Sequence, residues 1–294
     1  MSGFDRIALI GFGEVGQSLA RALLARGVVD LTAWDTAFLD PCSAPSCALD
    51  QIPVREAPSA ADAAAGAQLV ISAVTAERDV EAVMAAAPGL GPGTYFLDVN
   101  SASPDTKRAS ADVIAWTKAH YVEAAIMSPI NPKQLAAPML LGGSAAAAFM
   151  ERARASGFSG GRVFSVEVGH AAAAKLCRSV VIKGLEALLA ESMLAARHYG
   201  VEQIVLDSLS DLLPLPDWNS TAAYMISRSL EHGERRAEEM REAALTVEEA
   251  GQDPLMSRAI AARQAWAAHY ANARSNDLGQ MLDAINHSRV EDRL

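Results

Sequence analysis

Apolar and polar positions divide the chain into two regions with different periodicities. Up to about residue 167, short apolar runs alternate with segments of helical spacing, a pattern typical of an α/β domain with a parallel, doubly wound sheet. From Gly169 to about Asn286 only the helical spacing remains. We therefore predict an α/β domain over residues 1–167 and an all-α domain over residues 168–294.

The pattern also predicts individual elements. The predicted strands are Ile7–Ile10, Val29–Trp34, Leu69–Val74, Tyr95–Val99, Tyr121–Ile126, Pro138–Leu141 and Arg162–Val166. The predicted helices of the first region are Gln17–Arg26, a short one capped by Ser59, Glu77–Ala87, Asp105–Ala119 and one from Ser144, with an irregular proline-containing stretch over residues 41–58. Those of the second region are Ala171–Tyr199, Val201–Leu213, Trp218–Glu231, Glu234–Ala250 and Ser257–Ala273.

Three glycines follow the first predicted strand directly. The segment Gly11-Phe12-Gly13-Glu14-Val15-Gly16 has the spacing G-x-G-x-x-G and opens a predicted helix. In a Rossmann fold the first glycine permits the turn, the second admits a pyrophosphate, and the third lets helix and strand pack closely. We predict that all six residues hold a dinucleotide at the helix N-terminus; the alternative is a glycine-rich turn without a ligand.

An acidic residue ends the second predicted strand. Asp35 lies at the distance from the glycines where this fold places its ribose-binding acid. A carboxylate there accepts hydrogen bonds from the adenosine ribose and repels a 2′-phosphate. No arginine follows closely, Arg55 being the next, so we expect NAD as the cofactor, with NADP as the alternative.

Polar residues also follow the next two predicted strands. Val74 and Thr75 stand at the end of one strand, and Asn100 and Ser101 stand after the next. Ligands of an open parallel sheet bind at the carboxyl ends of its strands. We expect Val74, Thr75 and Asn100 to contact the cofactor, and Asn100 and Ser101 to contact a small-molecule substrate.

Composition excludes several classes of protein. The net charge of −10 and the lack of a block rich in Lys or Arg argue against a nucleic-acid partner. The most apolar helical segment, Val180–Ala195, carries Lys183, Glu186 and Glu191, which argues against a membrane span. The odd number of cysteines, the lack of metal-type spacing and the lack of a signal-peptide pattern predict a cytoplasmic protein without a metal ion.

Two further motifs bring a known family into view. The segment Asp98–Pro104 reads Asp-Val-Asn-Ser-Ala-Ser-Pro, and Lys175 follows six positions after Gly169. With the glycine turn, these motifs resemble the β-hydroxyacid dehydrogenases, the family of 3-hydroxyisobutyrate and 6-phosphogluconate dehydrogenases, over most of residues 4–200. The resemblance implies NAD(P)-dependent hydride transfer between nicotinamide and a hydroxyacid.

The resemblance makes Lys175 the candidate general acid and base. A lysine that loses part of its hydration beside a nicotinamide can protonate a carbonyl oxygen as hydride arrives, or deprotonate the alcohol in reverse. Ser179 shares its helix face and is expected to hydrogen-bond the substrate, although the family usually has Asn there. The alternative is that Lys175 is an exposed helix lysine.

The largest departure from the family lies in Glu123–Pro129. This segment reads Glu-Ala-Ala-Ile-Met-Ser-Pro, where the family usually has Asp-Ala-Pro-Val-Ser-Gly-Gly, and Asn100 likewise replaces a usual Ser. The family's two glycines bring backbone N–H groups close to the substrate carboxylate, whereas proline lacks this donor and adds bulk. We expect Ser128 to contact the substrate, and a substrate that is larger or differently charged.

In the second region, Arg235 and Arg236 stand where the family has a Lys-Asp pair that approaches the active site. A guanidinium can hold an acidic group of the substrate or cofactor; the equal alternative is an exposed helix that pairs with nearby glutamates. The long apolar helices suggest a homodimer. Two rival functions are an imine reductase, in which the lysine position usually holds Asp or Tyr, and a dinucleotide sensor without turnover.

Overall fold

The computed structural model describes residues 3–212 and 217–291. The chain divides into two compact units, one ending at Lys175 and the other starting at Leu176, so the division falls inside a long helix. The boundary predicted from the sequence, after residue 167, lies shortly before this helix and stays a prediction.

The first unit is built on one sheet of eight strands in the described part of the chain. The strands are β1 (Arg6–Ile10), β2 (Asp30–Trp34), β3 (Arg55–Glu56), β4 (Leu69–Ser72), β5 (Tyr95–Asp98), β6 (His120–Ile126), β7 (Met139–Gly142) and β8 (Gly161–Ser165). Their spatial order is β3-β2-β1-β4-β5-β6-β7-β8, so the order reverses between β1 and β4. This confirms the doubly wound α/β fold, whose ligands bind at such a reversal.

One strand pair departs from the parallel arrangement. β7 runs antiparallel to β6, whereas the other neighbouring strands in the sheet are parallel. A parallel return needs a crossover of a dozen or more residues, usually a helix. The connection over residues 127–138 holds only a 3₁₀ turn, so it brings the chain back in the opposite direction.

Helices cover both faces of this sheet. They are α1 (Glu14–Ala25), α2 (Ala44–Leu49), α3 (Ala60–Ala64), α4 (Asp79–Ala86), α5 (Pro104–Ala115) and α6 (Ala146–Ala153). α1, α2 and α6 pack on one face and α3, α4 and α5 on the other. Because side chains alternate along a strand, Ile7 and Leu9 of β1 enter one core and Ala8 and Ile10 enter the other. Burial on both faces explains the continuous apolar run.

The stretch over residues 41–58 is more ordered than predicted, since it contains α2 and β3. The hydroxyl of Ser43 caps α2 by accepting the backbone N–H of Ser46 at 3.2 Å. Pro45 occupies the first turn of α2, where a missing N–H leaves no helical hydrogen bond unmade. A proline that suggested a loop therefore marks the start of a helix.

The second unit is helical throughout its described secondary structure. Its helices are α7 (His170–Tyr199), which begins in the first unit, α8 (Glu202–Leu212), α9 (Trp218–Glu249), α10 (Leu255–Ala268) and α11 (Leu278–Glu291). The predicted helix ending at Leu213 corresponds to α8, and Leu213 lies outside the described residues. Two predicted helices are joined in α9, where the backbone of His232 (φ −126°, ψ 20°) leaves the helical region. Within the described residues, no helix has the length and hydropathy needed to cross a membrane.

Candidate functional site

The glycine turn has the geometry expected of a phosphate-binding loop. Gly11 has φ +93°, and a Cβ atom there would lie 2.4 Å from the carbonyl oxygen of Ala73. A Cβ atom on Gly16 would lie 2.2 Å from the carbonyl oxygen of Gly11, so helix and strand could not pack as they do. Gly13 faces open space, and no side chain in the described residues caps α1 there. The first N–H groups of α1 are therefore available to an anion.

Asp35 is held against this turn. Its carboxylate accepts the backbone N–H of Phe12 at 2.6 Å and that of Ala37 at 2.8 Å. An ionised carboxylate has about four acceptor positions, so two remain for ribose hydroxyls. Phe12 contributes through its backbone, because its side chain is buried in the core. Asp35 thus links the glycine turn to the end of β2.

A cleft of about 230 Å³ opens between these segments. It is lined by Gly11, Gly13, Trp34, Asp35, Thr36, Ala73, Val74, Thr75, Arg78, Glu81, Ala82 and Ala85. Five of the predicted cofactor residues thus share one cleft, whereas Glu14 is exposed at the start of α1. Sequence reasoning missed Arg78 and Glu81, which pair with each other at 2.5 Å. Nothing in the chain order signalled Arg78, because it lines the cleft from the segment after β4, whereas Asp35 follows β2.

The side chain of Asn100 connects the carboxyl ends of β4 and β5 by hydrogen bonds. Its Oδ1 accepts the backbone N–H of Val74 at 2.7 Å, and its Nδ2 donates to Ser72 Oγ at 3.0 Å. Its own N–H donates to Asp98 Oδ1 at 3.0 Å. The side chain is buried and ties the loop after β4 to the loop after β5. This fixes Val74 and Ser101 at the carboxyl edge of the sheet, while contact of Asn100 with a ligand stays a prediction.

A buried charge cluster lies behind that loop. Lys107 Nζ contacts Asp98 Oδ1 at 2.5 Å and Asp79 Oδ2 at 3.0 Å. The hydroxyl of Tyr121 donates to Asp98 at 2.6 Å, and that of Ser110 donates to Asp79 at 2.8 Å. One ammonium group therefore serves two carboxylates in a region with almost no solvent contact.

The cluster perturbs the acid–base properties of its members. Burial raises the pKa of Asp98 to about 7, against the lowering effect of the Lys107 ammonium and with an added raising effect of the Asp79 carboxylate. The two carboxylates raise the pKa of Lys107 despite its burial. Asp98 was noted in the sequence only as part of a family motif, and Lys107 carried no signal, since a helix lysine is usually exposed.

Lys175 reaches the same loop from the start of α7. Its Nζ donates to Ser101 Oγ at 2.6 Å. The side chain is half-buried, which differs from a fully solvated helix lysine. Glu123 of β6 accepts the backbone N–H groups of Gly169 and Ala172, the latter at 2.5 Å, and so holds the first turn of α7. A charged residue within the apolar β6 was the available signal for this contact.

Ser128 lies half-buried just after β6, with its hydroxyl donating to the carbonyl of Pro129 at 3.0 Å. Asn131, further along this loop, accepts the hydroxyl of Ser18 in α1 at 3.0 Å. The loop that departs from the family pattern is therefore tied back to the helix that follows the glycine turn.

The other predicted substrate residues belong to the second unit. Ser179 is half-buried on α7. Arg235 pairs with Glu239 at 3.2 Å, one helical turn away, which agrees with the alternative interpretation of this segment. Arg236 instead forms a buried pair with Glu186 of α7, and desolvation lowers the pKa of Arg236. Both guanidinium groups thus contact carboxylates within this unit.

Comparisons with known proteins agree with this geometry. Residues 6–154 match the family described as the NAD binding domain of 6-phosphogluconate dehydrogenase, and residues 196–267 match a domain of unknown function, DUF1932. A search of curated proteins finds no match.

Several solved structures are similar over nearly the whole chain. A conserved hypothetical protein from Sinorhizobium meliloti 1021 is 34% identical, with a TM-score of 0.77 over 97% of this chain and 96% of that chain. The conserved protein MTH1747, of unknown function and structurally similar to 3-hydroxyacid dehydrogenases, is 30% identical, with a TM-score of 0.71 over 92% and 98%. The 3-hydroxyisobutyrate dehydrogenase of Mycobacterium tuberculosis, 18% identical, shares the fold with a TM-score of 0.71 over 97% and 99%.

Proposed function

Since this chain belongs to the β-hydroxyacid dehydrogenase family and carries that family's NAD-binding domain, we propose that it transfers hydride between nicotinamide and a hydroxyacid, with Lys175 as general acid and base. Membership makes it an NAD(P)-dependent oxidoreductase. The substrate class and the role of Lys175 are the finer parts of the proposal. The observation that supports the role of Lys175 is the 2.6 Å contact between its Nζ and Ser101 Oγ, and the hydroxyacid class is proposed from the family.

That contact supports a role for Lys175 as proton carrier at the carboxyl edge of the sheet, where ligands of this fold bind. The loop that holds Ser101 follows β5, two strands from the glycine turn after β1. In the oxidation direction, the Lys175 amine would accept the hydroxyl proton of the substrate, and a bound NAD would supply the hydride acceptor. The C–H and O–H bonds break as the C=O bond forms. Ser101 holds the Lys175 amine and can hydrogen-bond the same oxygen.

Lys175→Ala tests this role. We expect the variant to bind NADH within about twofold of the wild type, because the glycine turn and Asp35 are untouched, and to lose at least about 100-fold in kcat, the lower range for general acid–base catalysis. NADH fluorescence titration measures the first, and turnover of a hydroxyacid panel measures the second. Lys118→Ala, at an exposed lysine, is the matched control. Unchanged turnover in Lys175→Ala would remove the lysine from the mechanism.

The same panel separates the rival functions. Cyclic imines are included, and reduction of imines with no turnover of hydroxyacids would favour an imine reductase. Binding of NAD(H) without any turnover would favour a sensor. The loop around Ser128 leads us to propose a substrate larger or differently charged than 3-hydroxyisobutyrate, because Pro129 lacks an N–H donor for a small carboxylate. Ordinary efficiency with 3-hydroxyisobutyrate would contradict this.

We also propose that the chain prefers NAD to NADP. A ribose 2′-phosphate would lie against the Asp35 carboxylate, and Glu81 adds a second acid to the cleft. Among the described residues that line this cleft, Arg78 carries a positive charge, and it is paired with Glu81. Titration with NADH and NADPH should give at least about tenfold tighter binding of NADH, or about 1.4 kcal/mol, and Asp35→Asn should narrow the difference. Equal affinities in the wild type would refute the preference.

A homodimer is the proposed assembly. On α7, Val181 and Leu188 are 62% and 57% exposed and lie seven residues apart, so they share one face of the helix. Exposed apolar side chains on a common face are typical of an association surface. Light scattering after size-exclusion chromatography should give twice the chain mass of 30.9 kDa; a monomer across the assay range would contradict the proposal.

A further inference from the structure

A buried carboxylate fixes the start of the helix that carries Lys175. Glu123 lies in β6 with its side chain fully buried. Its Oε1 accepts the N–H of Ala172 at 2.5 Å, and its Oε2 accepts the N–H of Gly169. Ala172 lies in the first turn of α7, which begins at His170, and Gly169 directly precedes this helix. Lys175 stands one turn further along the helix.

The hydrogen bonds that Glu123 accepts are stronger than those between neutral groups. The first N–H groups of a helix lack partners within the helix, and they carry the positive end of its dipole. A carboxylate that accepts two of them forms charge-assisted hydrogen bonds, which are roughly twice as strong as neutral ones. The contact also excludes water, so α7 cannot shift at this end without exposing either the carboxylate or the two donors.

The strand that holds Glu123 also pairs with β5, the strand before Ser101, whose hydroxyl Lys175 contacts. Glu123 in β6 is the register partner of Asp98 in β5, and Ser101 follows Asp98 by three residues. Glu123 is therefore connected to Ser101 by two routes. One passes through the start of α7 and the hydrogen bond from Lys175 Nζ, and the other passes through the pairing of β6 with β5. Each step is a hydrogen bond or a short piece of backbone.

We propose that Glu123 is a positioning residue, which sets the distance of Lys175 Nζ from Ser101 Oγ and hence from the reacting oxygen. This rests on the proposed function, in which Lys175 carries the proton. Glu123 does not touch the ligand edge itself and acts through the backbone of α7. In the sequence, Glu123 was noted only as part of the segment Glu123–Pro129, which departs from the family pattern.

Glu123→Gln tests the proposal with little change in shape. The amide keeps one acceptor, but its NH₂ group would face a backbone donor, so one of the two contacts is lost. The readout is lysine labelling by formaldehyde and cyanoborohydride, quantified by mass spectrometry. The lysines are Lys107, Lys118, Lys133, Lys175 and Lys183. Exposed Lys118 and Lys133 serve as internal references, and buried Lys107 reports any general opening of the first unit.

We expect Glu123→Gln to label Lys175 at least about threefold faster than the wild type, since a charge-assisted contact worth more than a factor of ten is lost. Lys107 should stay unlabelled, and the labelling rates of Lys118 and Lys133 should not change. The affinity for NADH should stay within about twofold of the wild type, because the variant leaves the dinucleotide cleft intact. Glu123→Asp, which keeps the charge but shortens the reach, should give an intermediate rate.

Ser165→Ala is the matched control. Ser165 Oγ accepts the N–H of Glu167 and contacts His170, both at 3.0 Å, so it also ties the start of α7, but it does not touch the contacts of Glu123. We expect wild-type labelling of Lys175 in this variant. On a substrate found with the panel, Glu123→Gln should lower kcat and leave the KM for the cofactor unchanged.

Two results would overturn the inference. One is wild-type labelling of Lys175 in Glu123→Gln. The other is labelling of Lys107 together with Lys175, since a general loosening would make Glu123 a residue of the fold alone. Neither depends on turnover, so a failed Lys175→Ala test would refute the proposed proton carrier while leaving the labelling result interpretable by itself.

Discussion

Asp98→Asn should change how the stability of the protein depends on pH. Asp98 is fully buried, and its pKa is raised from 3.8 to about 7, chiefly by burial. The variant preserves the shape of the side chain and its acceptor for Lys107 and for the N–H of Asn100, while Lys107 keeps its contact with Asp79. It removes a proton that the folded state binds and the unfolded chain releases.

The sign and size of the effect follow from linkage. Between pH 3.8 and about 7, the unfolded chain has lost the proton on Asp98, whereas the folded protein retains it. The protonated Asp98 therefore makes its full contribution to the free energy of unfolding below pH 3.8, and this contribution is lost as the pH rises to about 7. The interval is roughly three pH units, which corresponds to about 4 kcal/mol in all and a slope of at most about 1.4 kcal/mol per pH unit.

Urea unfolding of both proteins across this range, without cofactor, measures the difference. The stability of the wild type relative to Asp98→Asn should fall as the pH rises from about 5 to about 7 and then level off. Tyr121→Phe is the control: it loses one hydrogen bond to Asp98, worth about 1 kcal/mol, yet it retains the titrating group and the slope. Parallel profiles for wild type and Asp98→Asn would refute the account of the cluster.

Three further predictions concern stability and cofactor binding. Lys107→Met should lower the free energy of unfolding by about 3–5 kcal/mol in urea titrations, because it leaves two buried carboxylates without their cation. Gly13→Ala should leave the melting temperature unchanged and weaken NADH binding in fluorescence titration, because a Cβ atom at Gly13 meets no neighbouring atom in the protein. Gly16→Ala should lower the melting temperature, because a Cβ atom there would lie 2.2 Å from the carbonyl oxygen of Gly11. Arg236→Met should lower the free energy of unfolding by about 3–5 kcal/mol, because the buried Glu186 carboxylate loses its cation. The double variant with Glu186→Gln should recover much of that loss.

The elements that are set by local pattern could be predicted from the sequence. The apolar β1 and the glycine turn identify a Rossmann fold because burial on both faces leaves no room for polar residues. The reversed direction of β7 could not be predicted in the same way, because direction depends on where the chain travels between strands. The missed α2 has a related cause: Pro45 is compatible with either a loop or the first turn of a helix.

For the site, residue types could be predicted but their partners could not. Asp35 was identified by its distance from the glycines, and it lines the same cleft as Gly11 and Gly13. Lys107 was missed because its role arises from contacts with Asp79 and Asp98, which lie on other elements. Arg78 was missed because it lines the same cleft as Asp35 although the two residues are far apart in the chain. Arg236 was considered for ligand binding, yet its partner is Glu186 on another helix, which no local spacing indicates.

Three polar side chains hold the backbone of neighbouring segments in the same way. Asp35 accepts the N–H of Phe12, Asn100 accepts that of Val74, and Glu123 accepts that of Ala172. In each case a side chain in or just after a strand fixes the backbone of a neighbouring segment. Because backbone N–H groups are obligatory donors, each such bond is costly to break when buried. The fold therefore sets the geometry of these segments before any ligand binds, and a ligand need not supply their ordering.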